Sequence, residues 1–84
     1  MSSGLDYEAE KLLARLSECE EAFRALKEAA VSCSEVLKSG RGREEALSML
    51  SSFLEALGKF IHELSHLSLS ASTILAKLEK AEEG

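Results

Sequence analysis

The residue types and spacing that could do chemistry occur in one string, His62-Glu63-Leu64-Ser65-His66. The string matches H-E-x-x-H, in which two histidines four residues apart on one helical face bind zinc and the glutamate activates the metal-bound water. A catalytic zinc site also needs a third protein ligand. Leu69 and Ser72 stand where the metzincin pattern continues with glycine and histidine. Glu79 lies more than four helical turns beyond His62, too far away to close the same site.

The incomplete ligand set predicts that the protein is not an enzyme. We assign no catalytic residue and expect no cofactor and no small-molecule substrate. A metal-binding helix that uses His62 and His66 remains a remote alternative.

The composition limits the partners and the compartment. The chain has 84 residues and a net charge of −5, which argues against nucleic acid or an anionic membrane as the main partner, because both require a basic surface. It contains no apolar run long enough to span a bilayer. Residues 1–4 lead directly into a charged segment without the apolar core of a signal peptide. We therefore expect a cytoplasmic protein, without excluding the nucleus.

Two long apolar series with heptad spacing predict two long helices, at about 4–38 and 43–82. Residues 3–6 resemble a capping box, and residues 39–42, Ser-Gly-Arg-Gly, supply a stop between the helices. Both series alternate steps of four and three residues without a break. The first is Leu5, Ala9, Leu12, Leu16, Cys19, Phe23, Leu26, Ala30, Cys33 and Leu37. The second is Ala46, Leu50, Phe53, Leu57, Phe60, Leu64, Leu67, Ala71, Ile74, Leu78 and Ala81.

The short stop predicts that the two helices fold back on each other as an antiparallel coiled-coil hairpin, a single all-α domain over residues 1–84. In that arrangement the two series pair with a constant index sum, as in Phe23 with Phe60 and Cys33 with Leu50. Several layers then set alanine against a larger residue, which fills a core evenly. This register turns His62 and His66 toward solvent and Leu64 toward the core.

Apolar residues beside both series predict a further partner. One flank of the second helix carries Leu47, Leu54, Ile61 and Leu75, and the opposite flank of the hairpin carries Val36, Met49, Ala29 and Ala56. A third apolar position per heptad is more than one partner helix covers. We therefore predict a non-enzymatic interaction and oligomerisation module that dimerises into a four-helix bundle. The alternative is a heteromeric adaptor or effector hairpin that binds a small GTPase or a scaffold helix.

Three local features allow more than one interpretation. The serines around Ser68 to Ser70 could break the second helix, although the unbroken phase of the apolar series favours a continuous one. Cys19 and Cys33 lie about 21 Å apart along one helix, which predicts buried free thiols rather than a mutual disulfide; an intermolecular disulfide is the alternative. Basic residues cluster at the turn and could contact an acidic partner or phosphate; these are Lys38, Arg41 and Arg43.

Overall fold

Two long antiparallel helices form the whole of the described fold. The structure is a computed structural model that describes residues 3–83, with the side chains of residues 5–81. Helix α1 spans Ser3–Ser39 and helix α2 spans Arg43–Glu83, and no strand occurs in this part of the chain. The helices pack side by side into a rod of 63 × 17 × 13 Å. The predicted hairpin is therefore confirmed, with helix bounds one residue from those predicted at three of the four ends.

Helix α2 is continuous through the serine-rich segment. Thr73 Oγ1 donates to the carbonyl of Leu69, and Ser65 Oγ donates to the carbonyl of Ile61, so hydroxyl groups bond within the helix rather than capping a new one. The continuous interpretation of this segment is confirmed. The predicted capping box at residues 3–6 depends on the side chain of Ser3, which lies outside the described side chains.

Two glycines reverse the chain between the helices. Gly40 has φ +66° and Gly42 has φ +122°, conformations that residues with a Cβ rarely adopt. Gly40 therefore takes the left-handed position expected just after α1. Ser39 Oγ donates to the carbonyl of Val36 at 3.0 Å, and Ala46 N–H donates to the carbonyl of Gly42 at 3.2 Å. These bonds satisfy backbone groups at both helix ends, which makes the sharp reversal compatible with two intact helices.

Small side chains line the contact between the helices. The apolar residues that are at least 93% buried are Cys19, Ala22, Cys33 and Val36, and Ser70 is buried on α2. Half-buried neighbours on α2 include Phe53, Ala56, Phe60, Leu67 and Ile74. Small residues allow two helices to approach closely, because the distance between helix axes depends on the side chains at the contact.

This contact differs from the predicted register. We call the residues of one helix that repeat every seven positions a column. One column of each apolar series lies in the contact as expected, and its members include Leu12, Leu26, Phe53, Ile74 and the two cysteines. The alternate column lies at the edge of the contact, because each helix is rotated so that the neighbouring residue moves between the helices; Phe23 still packs on Phe60, and Leu57 is half-buried. On α1 the contact takes Glu8, Arg15, Ala22, Ala29 and Val36 in place of Ala9, Leu16, Phe23, Ala30 and Leu37. The predicted pairing of Phe23 with Phe60 is confirmed, whereas the predicted seam was wrong at the exposed alternate positions, which are Leu16, Leu37, Leu50, Leu64 and Leu78.

A salt bridge joins the helices at the end of the rod away from the turn. Lys77 Nζ donates to Glu8 Oε2 at 2.8 Å, and Glu8 is 7% exposed. The hydrogen bond from Lys77 lowers the pKa of Glu8, and the charges of Lys77 and Lys11 lower it further against the opposing effect of burial. The rotation of the helices places this pair at contact positions, so it ties the start of α1 to the end of α2.

The lowered pKa of Glu8 predicts how stability changes with pH. A carboxyl whose pKa is lowered by folding stabilises the folded state above its unfolded pKa, about 4.3, and this contribution is lost as the pH falls through the folded pKa. We expect Glu8→Gln to lower the denaturation midpoint at neutral pH, and the difference from wild type to shrink as the pH falls below about 4. Chemical denaturation at fixed protein concentration across this pH range measures both effects.

The matched control is Glu10→Gln, which removes the same charge from an exposed position on the same helix. It should change the midpoint at neutral pH less than Glu8→Gln does. Equal midpoints for the two variants at neutral pH would contradict a stabilising role for the bond between Glu8 and Lys77.

Candidate interaction surface

The rotation of the helices gathers large apolar side chains on one side of the rod. We call this side the apolar face and define it by two rows of residues spaced by seven. The row on α1 is Ala9, Leu16, Phe23, Ala30 and Leu37, and the row on α2 is Leu50, Leu57, Leu64, Ala71 and Leu78. Six of the large side chains are 39–55% exposed, namely Leu16, Phe23, Leu37, Leu50, Leu64 and Leu78. Phe23 packs on Phe60 across the helices, with ring centroids 5.6 Å apart.

A shallow groove marks the turn end of the apolar face. Ala30, Cys33 and Leu37 line it from α1, and Leu50 and Phe53 line it from α2. Residues of both helices therefore contribute to one surface, which excludes two separate apolar stripes on opposite sides of the rod at this end.

The opposite side of the rod is polar. Near the middle, Glu18 and Glu21 of α1 lie beside Lys59 and Glu63 of α2. Toward the open end, Lys11 and Arg15 lie beside His66 and Thr73, and Arg15 also pairs with Glu18 at 3.1 Å. The hairpin as a whole is therefore amphipathic, with one apolar side and one charged side.

The predicted flank of the second helix lies at the edge of the apolar face. Leu47, Leu54, Ile61 and Leu75 are 52–62% exposed. Each of them lies three or four residues from a member of the α2 row, which makes them neighbours on the helix surface. They extend the apolar face outward from α2, and they are exposed as the sequence predicted.

The other predicted flank does not lie on an open surface. Val36 is 5% exposed, and Ala29, Met49 and Ala56 are half-buried between the helices. This part of the predicted interaction surface is corrected, because the helices use these residues for their own contact. The residues that replace them on the surface are Leu16, Phe23, Leu37, Leu50, Leu64 and Leu78, which sequence reasoning had placed in the core.

The sequence contained a signal for which residues lie between the helices and which lie on the surface. The columns of Ala22 and Ala29 on α1 and of Ala56 and Ser70 on α2 are small, whereas the columns of Leu16 and Leu64 are large. Small columns suit a close helix pair, and large columns suit the wider core of a four-helix bundle. The charged residues Glu8 and Lys77 in the small columns concealed the signal, because a seam is expected to be apolar.

The two histidines lie side by side on α2. Their ring centroids are 4.3 Å apart at 58°. His62 is exposed, whereas His66 is half-buried, and its Nδ1 is buried without a hydrogen-bond partner. The expectation that His66 points to solvent and Leu64 into the core was therefore wrong, since Leu64 is 41% exposed. A metal-bound imidazole normally donates its second N–H to an acceptor, which Nδ1 of His66 lacks.

No group of three or more histidine, cysteine or acidic residues that could hold a metal occurs among the described residues. A site with only His62 and His66 lacks the additional ligands of a structural or catalytic zinc centre.

Both cysteines are free and buried, as predicted. Burial raises the pKa of the Cys19 thiol, and the nearby carboxylates of Glu63 and Glu18 raise it further. A raised pKa lowers the fraction of reactive thiolate, so Cys19 is a packing residue rather than a nucleophile.

The basic residues of the turn are exposed. Arg41 donates to the carboxylate of Glu45 at 3.2 Å, so one of the three charges already has an intramolecular partner. Contact of Lys38, Arg41 and Arg43 with an acidic partner stays a prediction.

No family model, curated protein or solved structure matches the chain. None of the described helices is long and apolar enough to cross a membrane.

The geometry of the histidine pair predicts its response to zinc. We expect equimolar zinc to leave the melting temperature unchanged, because the pair lacks a third ligand and an acceptor for Nδ1 of His66. Thermal melts with zinc or with a chelator check this in the wild type and in His62→Ala. A zinc-dependent rise in the melting temperature that is lost in His62→Ala would establish a metal site instead.

Proposed function

We propose that the protein is a non-enzymatic interaction and oligomerisation module, in which the apolar faces of two copies pack together to form a four-helix bundle. The observation that carries this proposal is the apolar face itself, a surface that runs along the rod and contains residues of both helices. Large exposed apolar surfaces on soluble proteins usually mark interaction sites.

The exposed area supports a partner of considerable size. The hairpin exposes 6284 Å². A compact monomer of the same 9.1 kDa mass exposes about 4,900 Å². The difference, about 1,400 Å², exceeds the ~800 Å² that each partner buries in an interface of ordinary size. Two copies that each covered this excess would bury about 2,800 Å² in total, which lies in the range of obligate homodimers.

A second copy has the shape and chemistry that the apolar face requires. Two helices already form one layer, and a second layer of two helices completes the four-helix core that large heptad columns favour. A two-fold interface uses the same patch on both copies, so one apolar face per chain is sufficient. Free buried thiols are typical of proteins in a reducing compartment, which supports the proposed cytoplasmic location.

The mass in solution tests the homodimer directly. We expect light scattering to give twice the 9.1 kDa chain mass at micromolar concentration. We also expect the melting temperature to rise with protein concentration, because association stabilises the folded chain by mass action. A mass of 9.1 kDa at high micromolar concentration would contradict the homodimer and leave the apolar face to a different helical protein.

Two leucines of similar exposure allow a matched test of the surface. Leu54 is 62% exposed at the edge of the apolar face, and Leu69 is 66% exposed beside Ser70 and Thr73 on the polar side. We expect Leu54→Gln to weaken the dimer roughly tenfold to a hundredfold, because burial of a leucine contributes about 1.5 kcal/mol or more in each copy. Leu69→Gln should leave the dissociation constant within about twofold of wild type. Equal effects in a sedimentation titration would show that association does not use the apolar face.

A further inference from the structure

The two rows of the apolar face are arranged about the middle of the rod. Phe23 is the third of five in the α1 row, and Phe60, on which it packs, lies between Leu57 and Leu64 of the α2 row. Both residues lie within three positions of the midpoint of their helix. If a second hairpin lies in the reverse direction and is centred where Phe23 packs on Phe60, Leu16 falls opposite Ala30 on α1 and Leu50 falls opposite Ala71 on α2. Each alanine then meets a leucine, which fills the layers evenly.

Opposite charges flank Phe23 on the same side of α1. Glu20 precedes it by three residues and Lys27 follows it by four, so the three side chains are neighbours on the helix surface. All three line one groove, and Lys27 Nζ lies 5.8 Å from the centroid of the Phe23 ring. In an antiparallel helix pair centred on Phe23, Glu20 of each copy falls opposite Lys27 of the other copy. The arrangement therefore creates two opposite-charge pairs across the interface.

The charge at the ends of the rod supports the same direction. The open end, residues 1–14 and 70–84, has six acidic and three basic side chains, a net charge of 3 − 6 = −3. The turn end, residues 31–52, has three acidic and three basic side chains and therefore a net charge of zero. Two hairpins with their turns at the same end would bring two open ends of charge −3 together. The reversed arrangement sets each of these ends beside a neutral turn, which removes the repulsion between like charges.

We propose that the second copy docks in reverse, with a two-fold axis across the rod at the level where Phe23 packs on Phe60. Helix α1 then packs against α1 of the second copy, and α2 packs against α2. This inference rests on the proposed homodimer and specifies its direction. The pattern of charges around Phe23 makes the reversed dimer the favoured one, and the apolar rows supply the contact.

A charge swap tests the direction. We expect Lys27→Glu to weaken the dimer about tenfold, because Glu20 of the other copy then faces a like charge at two symmetry-related places. Glu20→Lys should do the same, and the double variant Glu20→Lys/Lys27→Glu should restore the wild-type dissociation constant. Lys59→Glu is the control, since it makes the same charge change on the polar side of the hairpin and should leave the constant within about twofold.

A distance measurement gives an independent result. Ser48 is exposed near the turn and lies 12 residues from Phe60, or about 18 Å along α2. Spin labels at Ser48→Cys should therefore be about 36 Å apart or more in the reversed dimer, and under about 30 Å apart if the turns lie at the same end. The variant is made with Cys19→Ala and Cys33→Ala. If those changes unfold the chain, the charge swap still tests the direction with both cysteines present.

The outcomes separate the two proposals. A wild-type chain that stays monomeric overturns the homodimer itself. A dimer with the short label distance, or one in which the double swap fails to restore affinity, overturns the direction alone. A dimer with the long distance and restored affinity supports both.

Discussion

One helix can cover only one stripe of another, and this limit governs the rest of the structure. Each helix of the hairpin carries more apolar columns than a single partner helix can bury. Packing the helices together therefore leaves a choice as to which columns go inside and which stay on the surface. The structure places the small columns of Ala22, Ala29 and Ala56 between the helices. The large columns of Leu16, Phe23 and Leu64 are left beside each other on one side.

The polar residues in the contact follow from that choice. Placing the small columns inside also brings in Glu8 and Lys77, which belong to the same columns, and a buried carboxylate requires a partner. The 2.8 Å bond between them meets this requirement and fixes the open end of the hairpin. A slip of one helix along the other would leave Glu8 buried without its cation. The salt bridge therefore favours one register in a contact whose small apolar residues specify register only weakly.

The sequence predicted the large-scale features of the fold because these depend on local signals. Gly40 and Gly42 marked the turn, the absence of proline allowed long helices, and the unbroken apolar phase carried α2 through Ser68 to Ser70. The rotation of each helix about its axis was not predictable from the same signals. Leu16 and Glu8 are both neighbours of the column that contains Leu12, and hydrophobicity alone favours burying Leu16. The observed burial of Glu8 depends on Lys77, 69 residues away in the chain, which no local pattern reveals.

The same limit explains why the candidate site was found only in part. Leu47, Leu54, Ile61 and Leu75 lie far enough from the contact to be exposed in either rotation, so the sequence placed them correctly. Leu64 and His66 lie close to its boundary, and a small rotation decides which of them is exposed. Residues at the edge of a helix contact are therefore the least predictable, and here they include the largest side chains of the apolar face.

The hairpin buries little by itself, and in the proposed dimer this links its stability to association. Among the described side chains, none of the large ones is fully buried, and the apolar residues that are more than 90% buried are two cysteines, an alanine and a valine. Such a contact excludes much less apolar area from water than a compact core of this length does. In the proposed dimer the side chains that bind the second copy, such as Phe23 and Leu64, also complete the core. Folding and association then depend on the same contacts, as in homodimers whose separated chains are not stably folded. In the proposed dimer the exposed leucines are therefore half of a core that the second copy completes.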